Sequence, residues 1–397
     1  MKYYVTPEEI AAGKITDVYF RRTEQTLKAR GIHKRVVAEV IAKGLPEDWE
    51  WGILGGVEEA AELLAGLPVE ARALPEGSAF YPWEPVLTVE GYYEEFGAYE
   101  TAILGMLCQA SGIMTVAARC KLAACERPVI SFGARRVHPL IVPLAERCAY
   151  AGGCDGVSTV YAAELLGITP SGTMPHSLCL LMGSTAAAII AFDEVIERGA
   201  PRVALVDTFG DEKFEAVAAA EAIGKRLDAV RLDTPGSRRG DFKRILEEVR
   251  WELDLRGFEK VKIFVSGGIT EKTIQELNAY ADGYGVGTRI TAAPTVDFAL
   301  DIVEVDGKPL AKRGKESGRK ELVRCRKCGL RAVMPAMQFA RRGSRRMPKC
   351  ECGGTLEPIL EPLVARGRRT GKPQTIEQIR DRVKAQAHFA TIGPTEG

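Results

Sequence analysis

Histidine is scarce in this chain, at four residues in 397, and aromatics make up only 7 %, while the charges almost cancel at a formal net +1. The missing basic excess argues against a nucleic-acid or acidic-membrane partner, because such surfaces are usually met with surplus Lys and Arg. A run of about 20 apolar residues, the length that spans a bilayer, is also missing. The longest apolar stretch, Leu178 to Phe192, is interrupted by Gly183, Ser184 and Thr185 and reads as a buried core helix. The opening MKYYVTPEEIAAG has no apolar signal core, so the expectation is a cytoplasmic protein.

The length exceeds what one ordinary core fills, which implies two or three domains. Residues 1–112 mix a helical stretch, Gly55 to Leu67, with strand-like ones, Val69 to Leu74 and Pro85 to Gly91, and read as an N-terminal α+β sandwich domain. Residues 113–295 alternate strands with helices. Strands are expected at Val129–Phe132, Gly156–Val160, Val203–Val206, Ala229–Leu232, Val261–Val265 and Tyr284–Val286. Helices are expected at Glu212–Arg226, Asp241–Leu255 and Glu271–Tyr280. That alternation argues for parallel βαβ units and an irregular β/α barrel, with an open doubly wound sheet as the alternative. Residues 319–362 carry a cysteine cluster, and 296–318 with a final helix in 363–397, capped by Thr375, are assigned back to the first domain.

Ten cysteines are present. Cys325 and Cys328 form one pair, and Cys350 and Cys352 a second, each followed by a glycine (Gly329, Gly353) that lets a loop turn tightly. Four thiolates at such spacing make a closed tetrahedral Zn²⁺ site, which stabilises a small domain and leaves no position for catalysis. The other six (Cys108, Cys120, Cys125, Cys148, Cys154, Cys179) stand among apolar neighbours and read as buried thiols. Arg331, Arg341, Arg342, Arg345, Arg346 and Lys349 lie between the pairs; they read as a solvated face, with nucleic-acid contact as the alternative.

Chemistry in β/α folds sits where strands end. "SGGIT" (266–270) and "GVGT" (285–288) place glycines there, so that backbone N–H groups approach an anionic ligand; two such loops side by side make a phosphate cradle. Arg231 and Asp233 lie two apart on one strand and leave on the same face. The pair suits a phosphorylated sugar, Arg for phosphate oxygens and Asp for hydroxyls or magnesium, with a structural ion pair as the other reading. Arg135 and Arg136 follow another strand; read as extended chain they point apart, so one is expected on the ligand and the other on an acidic neighbour. His176 stands between a Gly/Pro-punctuated turn and the apolar run.

In order along the chain, "TDVYFRRTEQTL", "SFGARRVHP", "GGCDGVSTVYAAELLGITPSGTMPHS", "LVDTF", "VRLDTPG", "VSGGI" and "YGVGT" resemble nicotinate phosphoribosyltransferase, in its compact archaeal-type form with a C-terminal zinc knuckle. The resemblance implies formation of nicotinate mononucleotide and pyrophosphate from nicotinate and 5-phosphoribosyl-1-pyrophosphate in NAD biosynthesis. It implies His176 as a histidine that ATP phosphorylates, coupling hydrolysis to synthesis. Catalytic roles fall to His176, Arg231, Asp233 and Asp207, the last toward Mg²⁺. Tyr19 and Phe132 would sandwich the pyridine, Tyr19 coming from a second subunit, so a homodimer is implied. Arg135 and Arg136 would contact anions, and Ser158, Thr159 and Thr173 would lie near the substrate. Ser266, Gly267, Gly268, Gly287 and Thr288 would cradle the 5-phosphate. One departure is visible: Asp-Thr-Pro-Gly replaces the family's more usual Asp-Ser-Gly-Asp, so a second carboxylate is missing beside Asp233, and Asp241 lies further on. The alternatives are a sibling enzyme using nicotinamide or quinolinate, and a zinc-ribbon protein that binds nucleic acid.

Overall fold

A computed structural model describes residues 3–340 and 348–386. The chain forms two units, Met1–Thr115 with Pro294–Gly397, and Val116–Ala293.

In the first unit a seven-stranded antiparallel sheet runs in the order Lys308–Pro309, Phe298–Val305, Arg35–Ala42, Leu87–Tyr92, Glu70–Ala73, Glu361–Ala365, Arg368–Arg369. Leu87–Tyr92 alternates buried and half-buried positions, as a strand with one covered face must. The helix Val57–Leu64 packs Leu64 into a core with Val40, Val89, Ile103, Leu107 and Phe298. Buried Glu39 stands in the Arg35–Ala42 strand; Lys320 meets it with hydrogen bonds of 2.9 and 3.0 Å, the pairing a buried charge requires.

The cysteine segment belongs to this unit and forms a three-stranded sheet in the order Arg331–Pro335, Lys320–Cys325, Leu356–Pro358. The final helix, Ile376–Gln386, opens with a reciprocal cap: Gln378 N–H donates to Thr375 Oγ1 and Thr375 N–H donates to Gln378 Oε1. Arg341, Arg342, Arg345 and Arg346, and residues 387–397 of the segment expected to hold the final helix, lie outside the described residues. Arg331 is no solvated cation: its guanidinium is 2.6 Å from Glu84 and donates to the Ala79 carbonyl at 2.8 Å.

The second unit holds six strands: β1 Val129–Ser131, β2 Gly156–Val157, β3 Val203–Leu205, β4 Ala229–Leu232, β5 Lys262–Val265 and β6 Gly283–Val286. All pairings are parallel, in the order β2-β1-β6-β5-β4-β3. The first and last strands pair, as in a barrel, but β2 and β3 are left as the two edges. The sheet is therefore an open half-barrel and not a closed one. The gap falls where β2 is only two residues long and the chain from 158 to 202 carries three helices before β3. Those helices are α2 Val160–Leu166, α3 His176–Met182 and α4 Thr185–Val195; α1, Val142–Ala151, precedes β2. Helices α5 (Glu212–Ile223), α6 (Phe242–Leu255) and α7 (Glu271–Leu277) connect β3 to β6.

The Leu178 to Phe192 run is not one buried helix. Gly183, at φ +81, ends α3, and α4 leaves at 103° to it, with Leu181 85 % and Leu180 60 % exposed. The left-handed glycine supplies the turn that an apolar composition hides. Contrary to the expectation that no run is long enough to span a bilayer, one helical stretch among the described residues, Tyr93–Ala124, is long and apolar enough to cross a membrane, and 67 % of its most apolar window is buried. All ten cysteines are free; Cys125 differs from expectation by being exposed, on a turn at φ +55 just past the end of a helix.

Candidate functional site

The C-terminal ends of the half-barrel strands surround a cavity of about 690 Å³, and every residue lining it comes from the second unit. Phe132, Arg135, Arg136, Ser158, Thr173, His176, Arg231, Asp233, Ser266, Gly267, Gly268, Gly287 and Thr288 all line it. Thr159 and Asp207 do not, and Tyr19 belongs to the first unit, where it is 57 % exposed. Four arginines (Arg135, Arg136, Arg231, Arg289) and one carboxylate, Asp233, face the cavity, so it favours anions.

Arg135 and Arg136 both reach it. They sit on a single 3₁₀ turn, Ala134–Arg136, and not on extended chain, so the rule that neighbours point apart does not apply. Phe132 lies against β6: a Cβ on Gly285 would fall 2.3 Å from its ring, so only glycine lets the ring settle there. The same ring faces the Arg231 guanidinium at 5.7 Å.

Asp233 Oδ1 accepts from the Ser266 hydroxyl at 2.6 Å, tying the end of β4 to the first glycine loop. That loop turns through Gly267 at φ +82 and Gly268 at φ +64. A side chain at Gly267 would meet Asp233 at 3.0 Å, whereas Gly268 faces open space. Arg239 braces the loop from behind, donating to the Thr234 carbonyl at 2.7 Å, to Ser266 at 2.8 Å and to the Gly267 carbonyl. Asp241 caps α6 and is absent from the cavity wall, so no second carboxylate replaces the one missing beside Asp233.

His176 is the first residue of α3. Its Nδ1 is 3.1 Å from Thr208 Oγ1, and its Nε2 is 3.7 Å from Asp233 and 3.9 Å from Asp207. The Asp207 side chain is 3 % exposed, and neither oxygen has a hydrogen-bond partner of good geometry, although the Asp233 N–H lies close. Burial pushes this carboxyl up to about 6; His176 pulls it down and Asp233 pushes it up. Because the folded value exceeds the unfolded 3.8, the protonated group favours folding, and that contribution is lost as pH rises through about 6. Asp207→Asn is therefore expected to melt several degrees above the native protein near pH 8 in metal-free buffer. The gap should close toward pH 4; a gap constant across this range would contradict it. Burial also lowers the Arg231 pKa; its Nε has no partner, and Nη2 reaches only the Met174 carbonyl, at 3.4 Å.

Several residues here escaped the sequence reading. Arg289 lines the cavity and is held by a double hydrogen bond to Glu271, both arms at 2.8 Å. Glu146 is fully buried on α1 and accepts from the backbone and hydroxyl groups of both Ser158 and Thr159, which fixes the loop after β2. Glu215 on α5 does the same for the loop after β3, accepting from the Phe209 and Gly210 N–H groups at 2.6 Å. The available signal was a lone carboxylate on an otherwise apolar helix face, as in "VPLAERCAYA".

In the first unit the four sulfurs of Cys325, Cys328, Cys350 and Cys352 lie within 4.8 Å of one another. The Cys325–Cys352 and Cys328–Cys350 separations are 3.5 and 3.6 Å. A tetrahedron with Zn–S bonds of about 2.3 Å has edges of roughly 3.8 Å, so the set fits zinc. Cys328 and Lys327 N–H groups pull the Cys325 thiol down to about 6, while hydrogen bonding among the sulfurs pushes Cys350 and Cys352 up, so without a metal the four share their protons unevenly. Gly354 is required behind it, since a Cβ would fall 2.5 Å from the Cys325 sulfur.

Two domain families match the chain: the N-terminal domain of quinolinate phosphoribosyl transferase over residues 17–111 and its C-terminal domain over 113–301. A crystal structure described as nicotinate-nucleotide pyrophosphorylase from Pyrococcus furiosus superposes with a TM-score of 0.94 at 52 % identity, covering 99 % of this chain and 100 % of that one. Human nicotinic acid phosphoribosyltransferase shares the fold, with a TM-score of 0.74 at 20 % identity over 96 % of this chain and 94 % of that one. Nicotinate phosphoribosyltransferase pncB1 of Mycobacterium tuberculosis is 32 % identical over 355 residues, which is 79 % of this chain and 78 % of that protein. An open parallel half-barrel, a cationic cavity at its strand ends and this degree of identity lead to one assignment: the chain belongs to the nicotinate phosphoribosyltransferase family.

Proposed function

We propose that the protein forms nicotinate mononucleotide and pyrophosphate from nicotinate and 5-phosphoribosyl-1-pyrophosphate, in a zinc-bearing compact form of the family. The observation that carries this reading is the single cavity in which Arg231, Asp233, both glycine loops and His176 meet. The Ser266–Gly268 and Gly287–Thr288 backbone would take the 5-phosphate, and Asp233 the ribose hydroxyls. The Phe132 ring would carry one face of the pyridine, with Tyr19 of a second subunit on the other. Bond breaking at the sugar runs ahead of bond making, so positive charge builds on the ring while the leaving pyrophosphate gains negative charge. Arg231 and the two arginines after β1 would stabilise that leaving group. The pyridine nitrogen is unprotonated at neutral pH, so no strong general base is required.

Mg²⁺ suits oxygen ligands, and Asp233 is the carboxylate that faces the cavity; Asp207, off the cavity wall, would act through Asp233 and His176. The ion would supply charge neutralisation for the pyrophosphate. ATP coupling through phosphorylation of His176 is part of the proposal, since a phosphate on the imidazole changes the local charge by about two units. The second reading is quinolinate as substrate. It is favoured by the names of the matching domains and by four cavity arginines, though Arg289 is already neutralised by Glu271.

Pyrophosphate release with nicotinate, nicotinamide and quinolinate, each with and without ATP, tests these readings. Release is expected with nicotinate and stimulated by ATP; His176→Ala should lose the stimulation and keep slow turnover. Turnover with quinolinate alone would overturn the main reading.

A further inference from the structure

We propose that Glu215 is a positioning residue for His176, acting through Thr208; this rests on His176 being a reacting group in the function proposed above. Glu215 is buried in the first turn of α5. Its Oε1 accepts from the Phe209 and Gly210 N–H groups, each at 2.6 Å, and its Oε2 from the Thr208 N–H at 3.4 Å and from the Thr185 hydroxyl. None of these four donors is charged. Three are consecutive amides of one loop, so a buried carboxylate is committed to the shape of that loop.

Packing holds the start of the loop, where Val206 is fully buried, but contributes less further on, where Phe209 is 52 % exposed. The loop in turn delivers the Thr208 hydroxyl to His176 Nδ1 at 3.1 Å. A hydroxyl can donate or accept; with the acceptor-only carboxylates facing Nε2, the Thr208 hydroxyl donates to Nδ1, which favours the Nε2–H tautomer and sets the ring angle. It thereby decides what Nε2 presents between Asp207 and Asp233, at 3.9 and 3.7 Å. Glu215 thus fixes the nitrogen that faces the cavity without touching substrate.

The test is a double-mutant cycle on the full-length protein with Glu215→Gln and Thr208→Val. Gln keeps an acceptor for Phe209 and Gly210 but opposes a donor to the Thr208 N–H. ¹⁵N NMR of the imidazoles, simplified by a sequence with four histidines, reads the His176 tautomer directly. Both single variants should shift the tautomer ratio the same way. Each should lower kcat for pyrophosphate release about tenfold with KM nearly unchanged, and the double variant should be no slower than Thr208→Val alone. Multiplying effects, or an unshifted tautomer in Glu215→Gln beside a lowered Tm, would make Glu215 a scaffold residue and overturn the proposal. If Glu215→Gln does not fold, Thr185→Val, which removes one donor from the same oxygen, takes its place in the cycle. A native protein that releases no pyrophosphate from nicotinate would sink the functional reading while the tautomer measurement still decides this one.

Discussion

Arg231→Ala is expected to lower kcat/KM for pyrophosphate release by roughly 10³-fold, about 4 kcal/mol of transition-state stabilisation. The guanidinium lies inside the cavity with Nε unpartnered and one weak contact, at 3.4 Å, to a carbonyl. A buried cation with unused donors is prepared for an anion, and alanine supplies none. Lysine should restore little, because an ammonium offers one charged point where the fork offers five N–H groups in a plane. The substitution has a second consequence. Arg231 helps to hold down the Asp207 pKa, so removing it should move that carboxyl above about 6, visible by ¹³C NMR of the carboxylate. A variant that keeps more than a tenth of native kcat/KM would show that the leaving group is held elsewhere.

The second large effect is expected from the four-cysteine site. The protein should contain one zinc per chain, and Cys325→Ser with Cys328→Ser should abolish it. The core around the cysteines consists of Val323, Cys325, Cys350 and Leu356, too small to hold the cysteine loops without the metal, while Leu322 and Leu360 pack into the main core of the first unit. Zinc binding to such sites supplies on the order of 10 kcal/mol of apparent free energy near pH 7. Amide exchange over 320–335 and 356–358 should accelerate strongly in the double variant, and ion pairs such as Arg72–Glu321 and Arg331–Glu84 should be released with it. Where the protein still folds, pyrophosphate chemistry should persist in part, because the cavity residues all belong to the second unit. Equal exchange in the presence and absence of metal would remove zinc from the account.

Much of the half-barrel unit could be read directly. Strands expected at Val129, Gly156, Val203, Ala229, Val261 and Tyr284 start within a residue of those observed, because β-branched runs bounded by Gly, Asp and Ser define parallel strands locally. The errors share one cause. The joint rotation of Arg135 and Arg136 depends on a 3₁₀ turn that dipeptide reasoning does not see. The break at Gly183 needed a backbone angle and not a hydropathy value. Glu146 and Glu215 looked like ordinary helix residues until their loops were in place.

What the sequence determined by itself was chemistry that depends on neighbours in the chain: cysteine spacing, glycine-rich strand ends, and the face shared by Arg231 and Asp233. Tertiary structure alone decided that the barrel opens between β2 and β3, that Asp207 is buried beside His176 and off the cavity wall, and that Glu215 reaches His176 through Thr208. The physical reason is that local propensity follows from residues a few positions apart. Burial, pairing and pKa depend on groups tens of residues distant, and folding alone brings those together.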